Sequence, residues 1–83
     1  MYAYNNDDMY FNYHAKVKKL LSQGHAVGYE MLENYHQISP CLLIYFDNGR
    51  AMPIRENMFA EYFFLIAKYG VNEIDKQEKA RKE

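Results

Sequence analysis

The stretch CLLIYFDNGRAMPIRE, Cys41 to Glu56, constrains the fold more tightly than any other part of this chain. Asp47-Asn48-Gly49 supplies two residues at ease near the right-handed helical region and then a glycine that accepts positive φ without a Cβ clash. A hairpin closed by a three-residue loop with a bulge is therefore expected. In that register Phe46 faces Arg50, Ile44 faces Met52 and Leu42 faces Ile54, while Cys41, Leu43, Tyr45, Ala51, Pro53 and Arg55 project the other way. A two-residue Asn-Gly loop would re-pair the strands but still leave apolar residues on both sides. An antiparallel sheet with one wet face alternates apolar and polar residues, and this one does not, so both faces demand cover.

The cover has to come from very little chain. The 83 residues make one domain, and a chain of that length buries only about 60% of its unfolded surface. Yet 49% of the residues are hydrophobic and 17% aromatic, nine of them Tyr and none Trp, so either the core is dense in rings or apolar surface is shared with another chain. A net charge of −1 offers no global field to draw in nucleic acid or anionic lipid. Cys41 is the single cysteine, which excludes an internal disulfide and suits a reducing cytoplasm. The start of the chain has no basic region followed by an apolar one, and YFFLIA is too short to span a bilayer, so no membrane role is expected. Phe, Tyr, Met, Ile, Asn and Lys outnumber Gly, Ala, Arg and Pro, a bias of AT-rich coding that points to a low-GC bacterium, or a phage or mobile element within one.

Periodicity orders the rest. Tyr10, Tyr13, Val17, Leu20 and Leu21 share a face, predicting a helix from about Asp7 to Gln23 closed by Gly24, with residues 1–6 as a flexible lead. HAVGYEML predicts a strand over Ala26 to Leu32, and ENYHQISP an eight-residue loop. Pro53 has no N–H to donate, which makes the third strand an edge and places Leu42–Phe46 in the centre. A helix follows from about Asn57 to Tyr69, with Asn57 as N-cap, Gly70 as terminator and an apolar surface almost all the way round. Residues 72–83, with Asn72 available as a cap, read as a polar helix or tail. The sum is a small α+β domain of order α-β-β-β-α-α, with an antiparallel three-stranded sheet packed with helices. Two arrangements satisfy the hairpin: one helix on each sheet face, or both helices on one face with a second protomer or a partner on the other. The second is favoured, because one short amphipathic helix serves poorly as cover for a whole sheet face.

Chemical motifs are sparse. His14, His25 and His36 recur every eleven residues but fall on a helix, a strand start and a loop, so no metal set and no cofactor is expected. His36 and Cys41 flank QISP, yet a lone cysteine opening a central strand is ordinarily a buried small hydrophobe, and no catalytic residue is assigned. Lys16, Lys18, Lys19, Arg50 and Arg55 could meet phosphates while Tyr35 or Tyr45 stacks a base, although lysines in a last helical turn suit the helix dipole without any ligand. The reading is a non-catalytic, cytoplasmic, homodimeric protein-binding module. Its expected role is that of a phage or mobile-element accessory protein that inhibits or redirects a bacterial host protein, with a defence component as one target. A small DNA- or RNA-binding regulator is the alternative. Phe11, Tyr35, His36, Arg50 and Arg55 are the expected partner-binding residues, because the loop from Glu33 to Pro40 is longer than a simple connection needs and Arg55 shares a face with apolar neighbours.

Overall fold

The computed structural model describes residues 6–74, with side chains described for residues 12–74. The order is α1 (Asn6–Ser22), β1 (Ala26–Leu32), β2 (Cys41–Phe46), β3 (Ala51–Arg55), a 3₁₀ turn (Glu56–Met58) and α2 (Phe59–Tyr69). The strands form one antiparallel sheet in the order β1-β2-β3, an α+β domain with β2 at the centre and the Pro53 strand at the edge. The hairpin register is the expected one, with Ile44 opposite Met52 and Leu42 opposite Ile54. The amide of Phe46 donates to the Arg50 carbonyl at 2.9 Å, and the amide of Gly49 returns to Phe46 at 3.0 Å with φ at 87°.

Leu42, Ile44 and Phe46 alternate along β2, so their side chains share one face, and Met52 and Ile54 extend that face on β3. Val17 and Leu21 of α1 and Tyr62 and Ile66 of α2 pack into the same cluster. Both helices therefore lie on one side of the sheet. Burying such side chains stabilises by about 1.5–3 kcal/mol each relative to leaving them exposed, and this one face holds the main core. The opposite face carries Glu30 of β1, Cys41, Leu43 and Tyr45 of β2, and Pro53 and Arg55 of β3. It is not an open apolar sheet: Cys41 is fully buried, Leu43 is 2% exposed and Glu30 is 4% exposed within the single chain.

Both helices end in the same way. Gly24 and Gly70 take φ of 80° and 70°, and in each case the glycine amide bonds three residues back while the next amide bonds five residues back: His25 to Leu20, and Val71 to Ile66. A side chain would resist this left-handed turn. The start of α2 departs from expectation, because Asn57 lies inside the 3₁₀ turn and the N-cap is Met58, which makes no side-chain cap bond. Residues 72–74 do not open a helix either. They run parallel to the outer edge of β1, with Tyr29 donating to the Asn72 carbonyl at 3.2 Å and Ile74 donating back to Tyr29 at 2.8 Å. A Cβ on Gly28 would stand 2.9 Å from Ile74 Cγ1, so glycine is what lets this segment lie down on the strand. Residues 75–83 of the expected C-terminal helix or tail and residues 1–5 of the expected lead 1–6 fall outside the described residues, while Asn6, expected in that lead, opens α1.

Candidate functional site

The segment between β1 and β2 is an ordered turn rather than a loose loop. Tyr35 and Ile38 exchange both backbone hydrogen bonds at 2.9 Å, with His36 and Gln37 between them at φ of 49° and 72°. Two central residues at positive φ are the signature of a type I′ turn, a role that Asn and Gly fill at least cost. Ser39 Oγ donates to the Glu33 carbonyl at 2.6 Å and closes the base, and the Ser39–Pro40 peptide is cis. The Tyr35 and His36 rings meet edge to face with centroids 4.5 Å apart. His36 is exposed and Tyr35 half-buried.

Arg55 is exposed at the same end of the sheet, because it pairs across the ladder with Cys41, which in turn pairs with Leu32 where the turn departs. Tyr35, His36 and Arg55 thus share one end. Arg50 does not join them: it sits at the tip of the β2–β3 hairpin, its amide bonded to Asn48 Oδ1 at 2.9 Å, about 17 Å from Arg55 at the rise of an extended strand. Phe11 lies on α1, and its side chain is outside the described residues.

Burial sets the chemistry of Cys41 and Tyr45, at opposite ends of β2 on the second sheet face. It pushes the Cys41 thiol up, against the smaller opposing pulls of a hydrogen bond from the Ile54 backbone and the charge of Arg55. A buried, protonated thiol is a poor nucleophile. Burial, and then the hydrogen bond its hydroxyl donates to the Glu30 carboxylate, pushes Tyr45 up to about 12. Tyr13 is also raised to about 12, again chiefly by burial, and its hydroxyl donates to the Pro53 carbonyl at 2.9 Å.

Two features were not anticipated from sequence. His14 Nδ1 lies 2.8 Å from the Tyr62 hydroxyl, joining α1 to α2 inside the core, and burial holds the imidazole below its ordinary pKa. No local pattern links residues 48 apart. The second is the outward side of α2, where Phe64 is 67% and Phe63 37% exposed; the all-round apolar character of the helix was its only sequence signal. Among the described residues no group of three or more His, Cys, Asp or Glu is placed to hold a metal ion, and no helix is long and apolar enough to cross a membrane. Comparison with known protein families, curated proteins and solved structures finds no match.

Proposed function

We propose that this chain is a non-catalytic protein-binding module that captures its partner with the end of the sheet that carries Tyr35, His36 and Arg55. The observation that carries this reading is the turn itself. His36 and Gln37 each occupy a backbone region that costs a residue with a Cβ about 1–2 kcal/mol, while the flanking Tyr35–Ile38 bonds hold them there. Such a cost is unnecessary in a mere connection, for which Asn-Gly would serve. What it secures is a fixed edge-to-face pair of rings at the same end of the sheet as an arginine, and rigid aromatics with a forked donor are the usual anchors of protein recognition.

The composition supports the wider setting: a cytoplasmic accessory protein of a phage or mobile element whose partner is a bacterial protein, such as a defence component. Tyr35→Ala and Arg55→Ala each test the surface. Each variant weakens retention of the partner by about 1–2 kcal/mol while the melting temperature stays near wild type. Capture that collapses with modest added salt or with nuclease identifies a phosphate-binding surface instead and favours the DNA- or RNA-binding reading.

A further inference from the structure

Three of the four large hydrophobic residues exposed among the described residues, Phe63, Phe64 and Tyr69, lie on α2. At 100° per residue, Ala60 and Ala67 fall together between Phe63 and Phe64 on its exposed side, and Phe64 stands opposite the buried Tyr62 and Ile66. Beyond Phe63 the rings continue onto the sheet, with Phe63 edge to face with both Phe59 and Tyr29 at centroid distances of 5.9 and 6.2 Å. Beyond Phe64 come Glu61 and Lys68, two turns apart on the flank that faces α1, where Glu61 pairs with Lys18. The sheet offers little room for association by strand addition: residues 72–74 occupy the edge of β1, and Pro53 at the middle of β3 lacks an amide while its carbonyl is bonded to Tyr13.

We infer that the outward face of α2 is a two-fold seam that takes the same helix of a second copy, running antiparallel. The face is self-complementary under that operation and not under a parallel one. A two-fold axis passing between the two helices, perpendicular to both at the level of Phe63 and Phe64, returns each flank to its own side with the helix direction reversed. Phe63 then meets Phe63 of the second copy, Phe64 meets Phe64, and Ala60 opposes Ala67, the small pair letting the axes approach to the 8–10 Å of packed helices. On the charged flank Glu61 comes within about 3 Å, measured along the axis, of the level of Lys68 from the second copy, twice per dimer. A parallel two-fold runs along the helices and would turn the charged flank of each copy onto the Phe63 flank of the other, setting rings opposite Glu61 and Lys68. Only the antiparallel arrangement sets the two charged flanks side by side with opposite signs near one level, so the order of charges along the flank selects it.

The test is solution mass by light scattering across a dilution series. Wild type runs as two chains, and Phe64→Glu, at a site too exposed to matter for the core, runs as one chain with an unchanged circular dichroism spectrum. Lys68→Glu weakens association at least tenfold, and adding Glu61→Lys to it restores the dimer. A wild-type monomer at every concentration overturns the seam, as does a Phe64→Glu variant that remains a dimer or a charge reversal that fails to rescue. None of Tyr35, His36 or Arg55 belongs to the seam, so this outcome is separate from that of partner capture.

Discussion

His14 and Tyr62 tie the two helices together inside the core. Tyr62 is fully buried and His14 is 7% exposed, so the hydrogen bond between them is made where water cannot replace it. Tyr62→Phe keeps the ring and removes the hydroxyl, and it lowers stability by about 1–3 kcal/mol in a denaturant titration. The pair also makes stability depend on pH. Burial first, then the charge of Lys18, lowers the folded pKa of His14 below its ordinary 6.5, with Glu61 acting the other way. The unfolded chain therefore binds the proton at a higher pH than the folded chain does. The contribution of neutral His14 is fully present above 6.5 and is lost as pH falls from there through the lower folded value. A melting temperature that declines over this range in wild type and less in His14→Gln is the expected result. Cys41 makes a second residue-level case: its buried, upward-shifted thiol reacts slowly with a thiol reagent in the folded protein and quickly in denaturant. Fast modification of the native protein would show that the strand opens.

At the scale of elements, legibility in the sequence followed locality. Asp47-Asn48-Gly49 fixed the hairpin register and Pro53 fixed the edge strand, because turn chemistry and the missing amide are properties of a few adjacent residues. The Glu33–Pro40 segment was legible only as a long connection, since neither His36 nor Gln37 announces a type I′ turn; the neighbouring backbone bonds override their preference. Asn57 looked like a cap, but the chain enters α2 through a 3₁₀ turn that places Asn57 one step early. Of the five expected partner-binding residues, the structure puts Tyr35, His36 and Arg55 at one end of the sheet and Arg50 at the other, a separation of the two arginines that the expected hairpin register already implied. Two substitutions test these elements. His36→Gly relieves the positive-φ cost and stabilises the fold by up to about 1 kcal/mol, yet weakens partner capture by removing the exposed ring. Gly28→Ala drives a methyl into Ile74, costs about 1–3 kcal/mol, and abolishes exchange protection of the Ile74 amide if the 72–74 segment lets go of β1.

For the molecule as a whole, the doubly apolar hairpin is resolved asymmetrically. Both helices pack on the Leu42–Ile44–Phe46 face, while the other face is closed at its centre around Cys41 and Leu43. The apolar surface left to the described residues is then concentrated on the outside of α2, and the polar, preorganised surface at the Tyr35–Arg55 end of the sheet. This division suits a protein that pairs with itself through a helix and with its partner through a turn. The most direct measurement is capture from a bacterial lysate, with nuclease present, by wild type, Tyr35→Ala and Arg55→Ala matched for melting temperature. The account predicts a protein retained by wild type, resistant to nuclease and depleted in both variants. Equal retention by all three proteins, or loss of the captured material on nuclease treatment, would contradict it.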